Sequence, residues 1–287
     1  MRILIKVSDL GFAYQKSRAK AIKGIDFHIK KGEIFGFLGP SGAGKTTTQR
    51  IIIGLLQGYS GSVEVMGKER REWGQEFFER IGVAFDFPNL YLKLTAAENL
   101  QLVAAYYQNK PRNIEVLLDR VGLLPDRDKK VEAFSKGMKM RLNFIRAILH
   151  DPELLFFDEP TSGLDPLNAK IIKDIILELK AQGRTIFLTT HNMTVAEQLC
   201  DRVAFIVEGE IPVIDSPKEL MVQHGAHTVK IEYHKGNTTK AETFPMEGLK
   251  ENQQVFDILK RRDIKTIHSQ EATLEDIFIK LTGRKLI

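Results

Sequence analysis

The stretch Gly39 to Thr46, GPSGAGKT, fits the spacing G-x-x-x-x-G-K-[ST] and constrains this chain more than any other feature. Ahead of it, Ile34-Phe35-Gly36-Phe37-Leu38 is a short apolar run of the kind a buried parallel strand shows. After it, Thr46 to Ile53 reads as a helix. In such a turn the glycines let backbone N–H groups face inward around a phosphate, because no Cβ blocks the approach. The helix N-terminus adds unpaired N–H groups and the positive end of its dipole. Gly39, Pro40, Ser41, Gly42, Ala43, Gly44 and Thr47 then form the cradle, Lys45 reaches the β- and γ-phosphates, and Thr46 places its hydroxyl on Mg²⁺. A glycine-rich turn that binds nothing would not need strand, loop, Lys-Thr and helix in this order. A nucleoside triphosphate is implied.

A length of 287 residues allows one large or two small domains with a sizeable core. With 43% apolar and 28% charged residues the composition is that of a globular protein. The net charge of +5 is spread along the chain, so it singles out neither nucleic acid nor a membrane surface. Cys200 is the one cysteine, which excludes an internal disulfide and suits a reducing compartment. The start MRILIKVSDL breaks into charge too early for a signal peptide. No apolar run approaches the ~20 residues that span a bilayer, so any membrane crossing is expected from another chain.

Ile3 to Val7 and Ile25 to Ile29 alternate as half-buried antiparallel strands do. Between them, Tyr14 offers a ring that can stack on adenine; the plainer alternative is that Phe12 and Tyr14 pack at a strand edge. Ser62 to Met66 and Gly82 to Phe85 read as strands, with Glu72 to Arg80 a short helix. From Pro88 to His150 the pattern turns helical (Ala96 to Gln108, Asn113 to Val121, Lys136 to His150), which reads as an insertion in an α/β core. Leu154 to Phe157 is a fully apolar strand ending in Asp158-Glu159, and acids at the carboxyl end of such a strand lie where these sheets bind ligands. Asp158 is assigned to Mg²⁺ and Glu159 to the attacking water. Asn168 to Ala181 is helical, and Thr185 to Thr189 is a strand ending in His191, on the same sheet edge and so placed for a γ-phosphate. Met193 to Cys200 is a short helix, followed by strands Val203 to Val207 and Glu210 to Ile214. The remainder expects a strand at Thr228 to Tyr233, an amphipathic helix at Asn252 to Arg262 with Lys260-Arg261-Arg262 solvated, and a final helix opened by the capping box Thr273 to Asp276.

Together these motifs resemble the nucleotide-binding subunit of an ATP-binding cassette (ABC) transporter, from about Val7 to Ile214. GPSGAGKT resembles the family's Walker A loop, LLFFDEP (Leu154 to Pro160) its Walker B strand, SGLD (Ser162 to Asp165) its D-loop, His191 its switch histidine and Tyr14 its adenine-stacking aromatic. FSKGM, Phe134 to Met138, stands where the family has LSGGQ and matches it at Ser135 and Gly137. The KGMK variant and the ending TLEDIFIKLTGR are similar to cassettes that partner ABC-2-type exporters of drugs, antibiotics or polysaccharides.

The resemblance implies a P-loop NTPase core with an N-terminal antiparallel β-subdomain and a helical insertion, plus a small α+β C-terminal extension. Its domains would be 1–215, with the helical part at about 88–150, and 216–287. It implies ATP and Mg²⁺ as cofactors, and catalysis by Glu159, His191 and Lys45. It also implies a homodimer or paired cassette in which Ser135, Gly137 and Asp165 contact ATP across the interface. Separate transmembrane permease subunits would hold the protein at the cytoplasmic face and carry the substrate outward. Asp86 stands where the family has glutamine, and either takes over the Mg²⁺ and coupling role or leaves it weakened. A soluble ABC ATPase acting on nucleic acid or ribosomes is the competing class. One cassette without a coiled-coil insertion argues against it, and intact Lys45, Asp158, Glu159 and His191 argue against a regulatory cassette that only binds.

Overall fold

The computed structural model describes residues 2–15, 19–108, 111–225, 228–236, 238–270 and 272–284. They form two compact units, the first ending at Ser216 and the second starting at Pro217.

In the first unit, β1 (Ile3–Phe12) and β2 (Ile22–Lys30) lead into β3 (Ile34–Leu38), α1 (Lys45–Ile53), β4 (Ser60–Val65), β5 (Lys68–Glu69) and β6 (Ile81–Ala84). The helices α2 (Ala96–Ala104), α3 (Ile114–Arg120) and α4 (Lys136–Ile148) follow. Then come β7 (Leu154–Asp158), α5 (Pro166–Ala181), β8 (Thr185–Thr190), α6 (Met193–Leu199), β9 (Arg202–Val207) and β10 (Glu210–Asp215). One sheet is antiparallel, in the order β2-β1-β4-β5; the other runs β10-β9-β3-β8-β7-β6 and is parallel except where β10 returns along β9. β3 and β7 are buried at every position, as strands covered on both faces must be. Aromatic rings join the sheets: Phe27 stacks on Phe35 at 5.6 Å, Phe37 meets Phe187 at 5.5 Å, and Phe187 meets Phe156 at 5.9 Å. Each such ring, fully buried, contributes about 1.5–3 kcal/mol of hydrophobic stabilisation. The register aligns Leu38 with Thr190 and Asp158 with Thr189, so β3, β7 and β8 end on one edge.

Two helical expectations are corrected. Glu72 to Arg80 is not a helix but two 3₁₀ turns, Arg70–Glu72 and Gln75–Phe77. Gly74 breaks them with extended backbone, and the Trp73 indole N–H is already committed to the Val65 carbonyl at 3.0 Å. The helix expected to reach Gln108 stops at Ala104, and Tyr107 instead lies face to face on the buried His150 at 3.6 Å. At the far end of α1, the Arg70 guanidinium donates to the Ile53 carbonyl (Nη2, 2.6 Å) and covers Gly54, placing a cation at the negative end of that helix.

The second unit has α7 (Pro217–His224), β11 (Thr228–Lys235), β12 (Thr238–Pro245), α8 (Gln253–Arg261), β13 (Asp263–Gln270) and α9 (Leu274–Thr282). The three strands pair antiparallel in the order β12-β11-β13, and Val255 and Ile258 of α8 pack on Val229, Ile231, Tyr233 and Phe244. Lys260, Arg261 and Arg262 are exposed, as expected of a solvated face. β12, β13 and α7 went unread in the sequence. β12 buries only Phe244, and β13 pairs with β11 through a register shift between Glu232 and Tyr233.

Candidate active site

The loop between β3 and α1 folds as a cradle. Gly42 and Gly44 take φ of 78° and 115°, a region that side chains with a Cβ avoid. A Cβ on Gly39 would land on the Ile206 carbonyl oxygen, so only glycine lets the loop start this close to β9. Gly44 caps α1 without a side chain, and the first turn of α1 carries no acid. Its N–H groups and dipole are therefore left to an anion. Lys45 is 9% exposed; its Nζ donates to the Gly39 carbonyl at 2.6 Å and the Pro40 carbonyl at 3.0 Å. Burial lowers its pKa, against the opposing pull of the Glu159 and Asp158 charges.

A cleft of about 1020 Å³ opens beside this loop. It is lined by Ser41, Gly42, Gly44, Lys45, Thr46 and Thr47, and by Asp86, Asp158, Glu159 and His191. The Thr46 hydroxyl donates to Asp158 Oδ2 at 3.2 Å, and the Thr189 hydroxyl donates to Oδ1. Asp158 is 2% exposed; burial raises its pKa, the Asp86 and Glu159 charges add to this, and the two hydroxyls oppose it. Two adjacent oxygens, the Thr46 hydroxyl and the buried Asp158 carboxylate, fit Mg²⁺, which uses few protein ligands and completes its shell with phosphate and water oxygens. No cage of three or more His, Cys, Asp or Glu is found among the described residues.

Glu159 follows Asp158 with a left-handed φ of 50°, and its N–H donates to the Thr189 carbonyl at 2.9 Å. That twist turns its carboxylate toward the end of β8. Oε1 accepts from the His191 N–H at 2.8 Å and contacts His191 Nδ1 at 2.7 Å, while Oε2 accepts from the Thr190 hydroxyl at 3.0 Å. A carboxylate only accepts, so the proton of the Nδ1 contact belongs to the imidazole.

Seven expected contacts lie outside this lining: Gly39, Pro40 and Ala43 of the loop itself, and Tyr14, Ser135, Gly137 and Asp165. Tyr14 is 42% exposed, sits edge-on to the packed Phe12 at 5.0 Å and hydrogen-bonds Thr47 at 3.0 Å. Ser135 caps α4, accepting from the Met138 N–H at 3.2 Å. Gly137 packs beside Leu164. Asp165 caps α5, accepting from the Leu167 and Asn168 N–H groups at 3.1 Å each. Sequence reasoning missed Thr189 and Thr190, for which two successive hydroxyls after the apolar run Ile186 to Leu188 were the available signal. It also missed Lys136, Lys139, Ser162 and the Phe87 to Leu90 segment, all in the cleft wall.

Comparison with known proteins agrees with this geometry. Residues 22–162 match the ABC transporter family model, and residues 227–271 match that of the fluoroquinolone efflux ABC transporter C-terminal domain. The chain is similar to the fluoroquinolones export ATP-binding protein of Mycobacterium tuberculosis, with 50% identity over 99% of this chain and 94% of that protein. Among solved structures, the ATP-binding subunit of an ABC transporter superposes with a TM-score of 0.70 at 30% identity, covering 77% of this chain and 92% of that one. A dimeric ATP-binding cassette in a post-hydrolysis state with ADP and Pi gives 0.67 at 25%, covering 74% and 98%. The chain therefore belongs to the ABC transporter family, as an ATP-binding subunit that hydrolyses ATP to power transport.

Proposed function

We propose that this subunit powers export of a fluoroquinolone-like drug through separate transmembrane subunits, acting as one of two paired cassettes at the cytoplasmic face of the membrane. The observation carrying this reading is the 50% identity to a fluoroquinolones export protein over 99% of the chain. The match of residues 227–271 to the fluoroquinolone efflux C-terminal family supports it. No described helix is long and apolar enough to cross a membrane, which leaves the crossing to a partner.

In this reading Tyr14 holds the adenine ring, the Gly39–Thr47 loop holds the phosphates, and Lys45 exchanges its two loop carbonyls for β- and γ-phosphate oxygens. Thr46 and Asp158 hold Mg²⁺, which when bound neutralises charge on those phosphates. Glu159 takes a proton from water, whose oxygen then attacks the γ-phosphorus as the bond to ADP breaks, while His191 holds the base and faces the transferred group. Ser135, Gly137 and Asp165 do not line their own chain's cleft. They are left for nucleotide on the partner cassette, as the dimeric relative supports.

Asp86 is the member of this set whose charge is favourable only with the metal. Its carboxylate stands close enough to raise the Asp158 pKa, and Mg²⁺ relieves that repulsion. Asp86→Gln is expected to bind Mg-ATP but to need severalfold more free Mg²⁺ for half-maximal hydrolysis. ATPase rate against free Mg²⁺ checks this, and superimposable curves for the two proteins would remove Asp86 from the metal site. The transport reading is tested by purifying the subunit from native membranes and identifying any membrane chain that comes with it. Reconstituting that pair and measuring norfloxacin efflux completes the test. A pair that hydrolyses ATP without moving the drug would sink the substrate assignment.

A further inference from the structure

The Thr190 side chain has a role that the motifs do not assign. It is 1% exposed at the end of β8, between the Glu159 carboxylate and the start of α6. Its Oγ1 accepts from the Asn192 N–H at 3.0 Å, and its one proton goes to Glu159 Oε2 at 3.0 Å. Asn192 is itself fixed as the cap of α6, accepting from the Val195 N–H at 3.1 Å. The hydroxyl therefore ties the carboxylate to a rigid frame. A carboxylate offers about four lone-pair sites. His191 occupies both on Oε1 through its N–H and Nδ1–H, and Thr190 occupies one on Oε2. One site remains, on Oε2, and its direction is set by the Thr190 bond.

We propose that Thr190 is a positioning residue for hydrolysis, holding Glu159 so that its one unengaged lone pair, on Oε2, receives the proton of the attacking water. The proposal rests on the reading of Glu159 as the base. Thr190 does not line the cleft, and acts through the rotamer of Glu159. A valine at this position keeps the shape of the side chain and removes the donor. Carboxylate rotation then misplaces the acceptor, and misplacement near 1 Å costs up to about 100-fold in rate.

The experiment compares Thr190→Val, Thr190→Ser and Thr190→Ala in the full chain, with ATP affinity by calorimetry, steady-state kcat and KM, and single-turnover rates. Thr190→Val and Thr190→Ala are expected to lose about 10- to 100-fold in kcat with KM and ATP affinity unchanged, and Thr190→Ser to recover most of the rate. In a Glu159→Gln background, Thr190→Val is expected to lower the residual single-turnover rate no further, since both changes act on one group. Wild-type kcat in Thr190→Val, no rescue by serine, or an equal loss in both backgrounds would overturn the proposal. Wild-type turnover in Glu159→Gln alone would instead overturn the assignment of the base, which separates the two failures. Native ATP affinity in each variant shows that it folds, and Thr190→Ser keeps the test open if valine and alanine do not.

Discussion

Glu159→Gln is expected to lower ATP turnover by about 10²- to 10⁴-fold, the range that a positioned general base contributes, while leaving ATP affinity nearly unchanged. The amide matches the carboxylate in size but is a far weaker proton acceptor. It also disturbs the local bonding. Oε1 now accepts from His191, and one end of the amide must become an NH₂ group that cannot accept from either His191 or Thr190. The nucleotide cradle is untouched, because Lys45, Thr46 and the loop carbonyls take none of their hydrogen bonds from Glu159. Paired cassettes closed over ATP reopen on hydrolysis, so the variant should accumulate as an ATP-dependent dimer, read by size-exclusion chromatography with and without Mg-ATP. Wild-type turnover with no dimer would move the catalytic role to another group.

Lys45→Ala separates binding from chemistry, and its expected effect is loss of ATP binding, at least about 100-fold in affinity. A charge-assisted contact to phosphate is worth about 1.5–3 kcal/mol, and here two such contacts are lost. A second cost falls on the empty loop. The Gly39 and Pro40 carbonyls, now satisfied by the ammonium at 2.6 and 3.0 Å, lose their donor, so the cradle itself loosens. Calorimetric titration with ATP is the measurement. Affinity equal to wild type would remove the Gly39–Thr47 loop from the nucleotide site. The two variants are thus opposite in kind: one holds ATP without cleaving it, and the other fails to hold it.

The parts of the site legible in the sequence were those written within a few consecutive residues. GPSGAGKT carries its own strand and helix, and LLFFDE announces both a buried strand and the acids at its end. His191 was legible because the same period ended on the same edge. Thr190 was not legible as a partner of Glu159, because that bond depends on the left-handed backbone at Glu159, which no local pattern specifies. The Arg70 contact with Ile53 was hidden for a similar reason, since 17 residues separate the guanidinium from the helix end it covers. In the second unit, β11 was readable from its alternation. β12 was not, because an edge strand with one buried side chain leaves almost no apolar period to read.

The backbone at Glu159 has a consequence for how this protein can change. A residue with a Cβ held in left-handed conformation carries roughly 1–2 kcal/mol of strain, and here that strain sits on the residue assigned to catalysis. Glycine would release it, but would also remove the carboxylate that accepts from Thr190 and from two donors of His191. A buried donor left unpaired costs about 1–3 kcal/mol, as much as the strain itself. The twist is therefore held by the bonds the side chain makes, and the position has no cheap way to relax. Robustness in a working pump has to be found far from its own base.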